Sequence, residues 1–369
     1  MSTASARTEH VLRAGITARP PRLLMADRQH TEGSFDADDA RRLLSEGVLR
    51  RPRPGSVVVY QVRSGEHQQT GVVAEVPVAD YRSGRVRPHE ATDPERVRKL
   101  VEYTETARLE HSPVMLTHAP RDGLRDMLAA VTATAPDVDL PDDVHTHRVW
   151  VSEDDVLLRA VWEELESLST VYIADGHHRM ASADRYAARH NGLDPDDPAA
   201  FTLGVLFPSD EMRIFGYPRC VSWPAGWSTE KLVTALATAP GAAGIEECTP
   251  TEASHPVPDT AAVFVDGRWY RLRLREAHGG VRASLACVRL DERVITPLFG
   301  QGAWAASPGA HDSASLAGWC AARETIGFLP YPPSVAQVMA VSDANSVMPP
   351  KSTWFHPKAP QGLFARELA

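Results

Sequence analysis

T-V-Y-I-A-D-G-H-H-R, residues 170–179, predicts a buried strand that runs directly into a polar loop. The first half is apolar or β-branched, and the second half holds an acid, a glycine, two histidines and an arginine. The spacing that follows predicts a helix from about His177 to Arg189. Ionisable groups crowded at the edge of a core are costly unless a site uses them. The stretch therefore predicts a functional loop between a strand and a helix.

The residue types in this loop are typical of an anion pocket. A helix that begins just after a strand aims unpaired backbone N–H groups and the positive end of its dipole at whatever lies above the turn. Gly176 lets the backbone approach an anion, Arg179 offers a fork that matches phosphate oxygens, and His177 and His178 offer directional donors. Asp175 can hold a metal ion or orient a hydroxyl. The simplest anion for such a pocket is phosphate.

Two other interpretations of the loop stay open at this point. Asp175 could cap the helix while one of the histidines is a satisfied, half-buried side chain. A metal-hydrolase site is the weaker alternative, because adjacent histidines on a helix point roughly 100° apart. Zinc sites on helices take their ligands from one face, at positions i and i+4.

Composition limits the class of protein. The chain has 369 residues, of which 43% are hydrophobic and 24% charged, as in ordinary globular proteins. Its net charge of −9 gives no electrostatic reason to expect DNA or RNA binding. Four widely spaced cysteines, with no C-x-x-C pair, indicate a reducing compartment. The N-terminus shows no secretory signal and no run is apolar enough to span a membrane, so we expect a cytoplasmic protein.

The pattern of elements predicts an α+β fold with a mixed sheet and flanking helices, because strands and helices alternate without a sustained βαβ rhythm. Residues 56–61 and 71–78 are β-branched runs that predict a hairpin. Residues 95–109 have helical spacing, and residues 113–117 predict a buried strand. Residues 136–143 are rich in proline and aspartate, and we expect a loop there.

Y-I-A-D-G-H-H-R-M-A-S-A resembles the signature of a large bacterial and archaeal family known as domain of unknown function 1015. Two further blocks agree with it, T-G-V-V-A-E-V-P-V-A-D-Y-R-S-G-R-V-R-P-H-E-A-T (70–92) and V-M-P-P-K-S-T-W-F-H-P-K-A-P-Q-G-L (347–363). The usual P-Y-D-V-I and N-P-x-S-F segments are missing near the N-terminus. The resemblance implies a variable region 1–50, a phosphate-binding core 51–210, and an α/β region 211–369 with a Pro-rich closing tail.

That family is in turn similar to the ParB/sulfiredoxin superfamily, whose free serine kinases carry D-G-H-H-R as a nucleotide-phosphate loop. The resemblance implies a ParB/sulfiredoxin-like core that transfers phosphate from ATP or ADP, with Mg²⁺, to the hydroxyl of a small serine-like amino acid. Asp175 would hold the metal or assist the acceptor, and residues 176–179 would bind phosphate. A glutamate in a proline-rich turn is the base of those kinases, and here R-P-H-E offers Glu90. The alternative is that Glu90 is a solvent-exposed acid at a helix start.

The C-terminal block M-P-P-K-S-T-W-F-H-P-K resembles a loop that closes over a ligand. Lys351 and Lys358 would then be phosphate partners. The equal alternative is a tail that packs Trp354 and Phe355 on the core. Arg219 is the candidate for the acceptor's carboxylate, although relatives tend to have a polar residue where this chain has the preceding proline.

Three rival functions differ from the kinase in what they require. A ParB-like DNA-loading switch would need a DNA-binding module and a basic surface, and the sequence indicates neither. A sulfiredoxin-like reductase needs a cysteine in the phosphate loop, where this chain has His177. A non-catalytic nucleotide- or metabolite-binding regulatory protein stays open as the alternative. Nucleotide turnover that depends on a hydroxylated acceptor separates it from the kinase. The sequence gives no indication of oligomeric state.

Overall fold

The elements predicted around the polar loop are present in the computed structural model, which describes residues 15–26, 37–190, 194, 197–306 and 312–368. The predicted strand and helix have the bounds Val171–Asp175 and His177–Arg189. A large mixed sheet and smaller antiparallel sheets are flanked by helices, so the predicted α+β class is confirmed.

The described residues form twenty strands, which are, in chain order, β1 (Leu24–Ala26), β2 (Leu49–Arg50), β3 (Val57–Ser64), β4 (His67–Pro77), β5 (Val86–Arg87), β6 (Leu109–Glu110), β7 (Val114–His118), β8 (Val138–Pro141), β9 (His145–Ser152), β10 (Val171–Asp175), β11 (Phe201–Pro208), β12 (Arg213–Phe215), β13 (Arg219–Ser222), β14 (Ala242–Cys248), β15 (Thr260–Val265), β16 (Arg268–Leu274), β17 (Trp304–Ala306), β18 (Thr325–Pro330), β19 (Trp354–His356) and β20 (Phe364–Glu367).

The same residues form thirteen α-helices, which are α1 (Ala37–Ser45), α2 (Val78–Arg82), α3 (Pro94–Ala107), α4 (Asp122–Thr132), α5 (Asp155–Glu166), α6 (His177–Arg189), α7 (Thr229–Thr238), α8 (Pro250–Ser254), α9 (Val281–Ser284), α10 (Ala286–Leu290), α11 (Thr296–Phe299), α12 (Ser313–Ala321) and α13 (Val335–Asp343). Short 3-10 turns lie at Pro198–Ala200 and Ser209–Glu211, and a π-helical turn lies at Asp291–Ile295. Among the described helices, none has the length and apolar character needed to cross a bilayer.

Two compact units make up the described chain. The first holds the described residues up to Arg87, then Thr92–Glu211, and the chain from Lys358 onward. The second holds Pro88–Ala91 and Met212–Pro357. Each unit therefore consists of segments that are far apart in sequence.

This division differs from the ranges predicted from the sequence at two places. The short segment Pro88–Ala91 belongs with the second unit, and the chain from Lys358 returns to the first. The return has a physical cause, because β20 forms backbone hydrogen bonds with β1 and β6 of the first unit. Much of the predicted variable region 1–50, namely residues 1–14 and 27–36, lies outside the described residues.

The first unit is built on an eight-stranded sheet with the order β5-β10-β7-β11-β4-β3-β9-β8. It is mixed, because β10 runs parallel to β5 and antiparallel to β7, while β7 runs parallel to β11. The predicted hairpin is confirmed as β3 and β4. Apolar residues of the strands, such as Val72, Leu116 and Ile173, pack against Val161 and Leu165 of α5. Burying such side chains stabilises each by about 1.5–3 kcal/mol relative to exposure.

A smaller sheet with the order β2-β1-β20-β6 completes the first unit. Arg366 of its strand β20 takes part in an ionic cluster, called the sealed cluster, with Arg19, Glu75 and Glu110. The Glu75 carboxylate accepts a hydrogen bond from Arg19 Nε at 2.6 Å, and Arg366 Nε donates to Glu110 Oε2 at 2.8 Å. The side chains of Glu75 and Arg366 have 0% exposure and approach each other at 3.8 Å. Buried charges of this kind persist only when they are paired and hydrogen-bonded.

The second unit has its own core. Its main sheet, β14-β16-β15-β18-β13-β17, is antiparallel throughout, and β12 pairs with β19 in a separate two-stranded sheet. Val263, Leu272 and Phe328 from the main sheet pack with Leu232 and Leu236 on one face of α7.

The loop expected over residues 136–143 is wrong in part. Val138–Pro141 forms β8, which pairs with β9 across a turn that begins at Asp142. V-D-L-P alternates in the two-residue period of a strand, and Val138 is buried. The proline lies at the edge of the sheet, where a missing N–H is tolerated. Composition suggested a loop, but the available partner strand determined the structure.

Candidate functional site

The loop after β10 is shaped by Gly176. This residue has φ +96°, in the left-handed region, and α6 begins at the next residue. A Cβ at this position would lie 2.8 Å from Arg179 Nε, so the guanidinium also occupies the space that a side chain would need. The backbone conformation therefore favours glycine, and any other side chain here would also displace the Arg179 guanidinium.

Asp175, the last residue of β10, is held between two cations. Its Oδ2 accepts a hydrogen bond from Arg179 Nη2 at 2.6 Å, and its Oδ1 accepts one from Lys358 Nζ at 2.5 Å. Burial alone would raise the pKa of Asp175, but the charges of Lys358 and Arg179 outweigh burial and hold this pKa below its usual value. The carboxylate is therefore ionised at neutral pH, although its side chain is only 31% exposed.

The N-terminus of α6 lies beside this ion pair. Its N-cap residue is Gly176, which has no side chain to accept from the first-turn N–H groups. Asp175 does not act as the helix cap, because its two oxygens are engaged by Arg179 and Lys358. The first-turn N–H groups, the helix dipole and two cations thus lie together at one end of one helix. This combination favours an anion with several oxygens, such as a phosphate group.

The two histidines of the loop have different surroundings. His177 is buried, with 6% exposure. His178 is half-buried, and its Nε2 accepts a hydrogen bond from the backbone N–H of Asp93 at 3.0 Å. Because Nε2 is the acceptor, the proton of the neutral ring is on Nδ1. His178 therefore ties the start of α6 to the start of α3, and its predicted role in phosphate binding stays a prediction.

Two ion pairs hold α6 against its neighbours. Arg189 at its C-terminal end contacts Glu105 of α3 at 2.7 Å, and Asp184 contacts Arg82 of α2 at 2.5 Å. Both pairs are partly exposed, so each contributes about 1 kcal/mol or less. They fix the direction of the helix more than its stability, and so they orient the loop at its start.

His111 is a neighbour of the loop that the sequence analysis missed. Burial lowers the pKa of its ring, and the nearby charge of Arg179 lowers it further, so it is neutral at pH 7. Its ring packs edge-on against Tyr103 at 5.1 Å between centroids. Strand pairing explains why His111 is near the loop: Met115, four residues after His111, pairs with Asp175 at the end of β10. Such non-local pairing is not visible in a short motif.

Within the second unit, Glu90 lies beside the C-terminal block that begins at Val347. Glu90 and Met348 form a parallel backbone bridge, and the Met348 N–H donates to the carbonyl oxygen of His89 at 2.8 Å. His89 Nε2 also lies 3.1 Å from Thr353 Oγ1. The R-P-H-E turn and the V-M-P-P-K-S-T segment thus form one local structure, which the sequence did not predict.

Arg219 and Lys351 also belong to the second unit. Arg219 has no exposed side-chain surface, and its Nε and Nη2 donate to the two carboxylate oxygens of Asp291 at 2.5 and 2.9 Å. Arg219 therefore binds the carboxylate of a protein side chain, Asp291. The predicted role of Arg219 in binding the acceptor's carboxylate stays a prediction. Lys351 is exposed, with its Nζ 5.3 Å from the ring centroid of Tyr217.

Some residues of the C-terminal block pack in the second unit, and one residue contacts the Asp175 loop. Phe355 is buried, with 1% exposure, and the Trp354 ring packs against Tyr217 at 5.2 Å between centroids, tilted by 45°. Three residues beyond Phe355, Lys358 reaches Asp175 of the first unit's loop. Of the predicted site residues, the structure therefore brings together Asp175, Gly176, Arg179 and Lys358, with His177 and His178 beside them. Participation of Glu90, Lys351 and Arg219 at this loop stays a prediction.

Comparison with known proteins gives a family match. The family model described as "Protein of unknown function (DUF1015)" matches residues 26–293. Comparison with curated proteins finds no match.

Several solved structures are similar at low identity. A mutant free serine kinase in complex with ADP is 15% identical, with TM-score 0.39 over 77% of this chain and 87% of its own. SbnI with a C-terminal truncation, from Staphylococcus aureus, is 13% identical, with TM-score 0.41 over 78% and 85%. A conserved hypothetical protein from Pyrococcus furiosus is 14% identical, with TM-score 0.37 over 79% and 93%. No activity follows from likenesses of this size.

Proposed function

This chain belongs to the DUF1015 family, and we propose that it is a cytoplasmic, nucleotide-dependent kinase that phosphorylates the hydroxyl of a small, serine-like amino acid. The observation that carries the proposal is the Asp175 carboxylate held between Arg179 and Lys358 at a helix start whose N-cap residue is Gly176. The four cysteines are free thiols, which fits a reducing compartment.

Phosphoryl transfer depends on positioning and charge neutralisation more than on covalent chemistry. The loop offers both requirements in one place. Arg179 supplies a planar fork for phosphate oxygens, Lys358 supplies a mobile point charge, and the α6 backbone supplies N–H donors. A bound phosphate would compete with Asp175 for the two cations. We therefore propose that the ion pairs of the ligand-free protein exchange partners when ATP or ADP binds.

The residues present also fit a magnesium ion. Mg²⁺ is commonly bound through one or two carboxylates together with nucleotide phosphates, and Asp175 is an ionised carboxylate beside the proposed phosphate pocket. When bound there, Mg²⁺ would neutralise charge on the transferring phosphate. Asp175 would hold the ion, and Arg179 and Lys358 would hold the phosphate oxygens.

We propose Glu90 as the base that accepts the proton of the acceptor hydroxyl. Chain connectivity supports this role, because Glu90 comes three residues after β5, and β5 is the parallel neighbour of β10. Lys351 follows the segment that pairs with Glu90, and we propose it as a second phosphate partner. Arg219 is retained as the candidate ligand of the acceptor's carboxylate, although its contacts with Asp291 would have to change.

The proposal is tested by ³¹P NMR of reactions that contain the protein, Mg²⁺, ATP or ADP, and one member of a panel of hydroxy amino acids. We expect a new phosphomonoester signal with at least one acceptor and none without acceptor. Asp175→Asn should abolish it, because the carboxylate for the metal is lost. Tight nucleotide binding with no product from any acceptor would instead indicate the non-catalytic regulatory protein.

A further inference from the structure

The β8–β9 hairpin carries a group of metal-ligand side chains that no part of the proposed kinase uses. The sequence of the turn is D-D-V-H-T-H, residues 142–147. Asp142 lies in the turn, and His145 and His147 are alternate residues of β9, so their side chains lie on the same face of the sheet. His147 is buried, whereas Asp142 and His145 keep 35% and 20% exposure. The group is thus reachable from solvent at one side.

The three side chains converge on one point. Asp142 Oδ2 lies 3.2 Å from His145 Nδ1 and 3.3 Å from His147 Nε2, and the ligand atoms of all three residues lie within 4.8 Å of one another. Zn²⁺ holds nitrogen and oxygen ligands at about 2.0–2.1 Å in a tetrahedron, so neighbouring ligand atoms are about 3.3 Å apart. Two of the three edges already have this length.

The group is also oriented by its surroundings. Asp142 Oδ1 accepts hydrogen bonds from the backbone N–H groups of Val144 and His145 at 2.7 and 2.6 Å, which leaves Oδ2 directed at the two rings. On its far side, His147 Nδ1 lies 2.8 Å from the hydroxyl oxygen of Tyr60, a fully buried residue of β3. Ligands of structural metal sites are held in this way by a second set of hydrogen bonds.

We propose that Asp142, His145 and His147 bind one divalent ion of the zinc type, with water completing its coordination. Two imidazoles and one carboxylate are ligands that Zn²⁺ takes in proteins, and three protein ligands leave a fourth position open. Mg²⁺ and Ca²⁺ prefer oxygen ligands, so this set selects against them.

The protons of the two rings balance without a change of charge. In the ligand-free state, His145 Nδ1–H and His147 Nε2–H donate to the Asp142 carboxylate, which can only accept. Each ring changes tautomer when the ion binds: the nitrogen that becomes a ligand gives its proton to water, the other nitrogen takes one up, and the ring stays neutral. For His147 that nitrogen is Nδ1, so the Tyr60 hydroxyl changes from donor to acceptor by rotation of its O–H bond.

The site is separate from the phosphate loop. Strand β9 is five strand steps from β10 in the sheet order, which corresponds to roughly 24 Å. A metal ion there takes no part in chemistry at Asp175. It would fasten the β8–β9 hairpin, which forms one edge of the sheet, to Tyr60 of the adjacent strand.

The experiment uses the full chain without a histidine tag, stripped of metal by a chelator. Co²⁺ is titrated and followed by its visible absorption, and Zn²⁺ then displaces it. We expect one Co²⁺ per chain at this site, with the strong absorption of a tetrahedral ion. His145→Gln and Asp142→Asn should each weaken binding at least tenfold, and Tyr60→Phe about tenfold through the lost second hydrogen bond. Mg²⁺ should not compete.

His278→Gln is the matched control, because His278 is an exposed histidine outside the group and its loss should leave the titration unchanged. His145 is only half-buried, so its substitution tests the site even if changes at His147 impair folding. Co²⁺ binding of equal affinity and absorption in wild type, His145→Gln and Asp142→Asn would overturn the proposal, as would absence of binding to the wild type. Neither outcome depends on whether the protein is a kinase.

Discussion

The first unit contains two clusters of carboxylates and cations that differ in exposure. In the loop cluster, Asp175, Arg179 and Lys358 keep 31–41% of their side-chain surface exposed. In the sealed cluster, the side chains of Glu75 and Arg366 have no exposed surface. Arg366 there uses a carboxylate and the carbonyl oxygens of Pro198 and Phe201. Nearly the same residue types are thus used once beside solvent and once largely buried, where Arg19 and Glu110 keep only 24% and 15% exposure.

The difference teaches how to separate binding sites from structural ion pairs. A sealed pair must satisfy its own hydrogen bonds, because the desolvation of each charge costs several kcal/mol and a ligand cannot enter. In a half-exposed pair the charges are less desolvated, and an incoming anion can take the place of the carboxylate beside the cation. The helix start beside Asp175 adds backbone donors that the sealed cluster lacks. We therefore expect mutations in the two clusters to separate stability from binding.

The largest effect is expected from Arg366→Met. Removing this guanidinium takes the cation from Glu110 and leaves Glu75 with Arg19 alone, which should lower the free energy of unfolding by about 3–5 kcal/mol. Urea denaturation measures it. Arg51→Met is the matched control, because Arg51 pairs with Glu367 at the surface and should cost about 1 kcal/mol or less. Equal losses in the two variants would contradict the distinction between sealed and open pairs.

Glu90→Gln sharpens the functional side of the comparison. If the loop cluster binds the transferred phosphate and Glu90 accepts the acceptor proton, kcat should fall roughly 10²-fold or more while nucleotide affinity is nearly unchanged. Steady-state kinetics and calorimetry measure the two quantities. Glu95→Gln, at an exposed position in the first turn of α3, is the control. Near-normal turnover of the Glu90 variant would remove this residue from the mechanism.

Arg179→Ala tests whether the loop cluster is a binding site. Loss of one charge-assisted phosphate contact should weaken nucleotide binding by about 1.5–3 kcal/mol with little change in the melting temperature. Arg185→Ala, an exposed position on the same helix, should change neither quantity. Unchanged nucleotide affinity in folded Arg179→Ala, measured by calorimetry, would show that the cluster is structural after all.

The smallest effect on stability is expected from the double change Lys351→Ala and Lys358→Ala. Both lysines are exposed, so the melting temperature of the ligand-free protein should not fall, whereas catalysis should be impaired. Nucleotide with Mg²⁺ should also slow proteolytic cleavage near the two lysines of the wild type.

The packing alternative for the same segment makes the opposite prediction. Trp354→Ala would then lower stability by a few kcal/mol, as large-to-small changes in a core do. Full activity of the lysine double variant, together with proteolysis that nucleotide leaves unchanged, would remove the segment from the binding site.

Local features of the fold and site could be predicted from the sequence. The strand, the left-handed Gly176 and the helix that starts at His177 follow from neighbouring residues, because propensity and turn chemistry act over a few positions. The partner of Asp175 could not be predicted in this way. Lys358 is 183 positions away in sequence, and only the pairing of β20 with the first unit explains why the chain returns there.

The buried acids show the same limit. T-G-V-V-A-E-V-P-V-A-D-Y is part of a block that resembles the family. Its two acids, Glu75 and Asp80, have structural contacts that the sequence does not show. Glu75 is sealed beside Arg19, and Asp80 pairs with Arg85 and accepts from the backbone of Thr17. A short pattern indicates that an acid is unusual in a strand, and only tertiary contacts decide whether the acid is structural or functional.

The return of the chain to the first unit at Lys358 has a consequence for how the protein is made. About 150 residues of the second unit leave the ribosome between Glu211 and the strand β20, and at typical elongation rates this takes roughly 8–30 s. During that interval β1 and β6 lack the strand that lies between them, and the Asp175 loop lacks its lysine. A nascent chain therefore carries the Asp175 loop without Lys358 until the segment after Pro357 emerges, and on the proposed function its phosphate site is completed only late in synthesis.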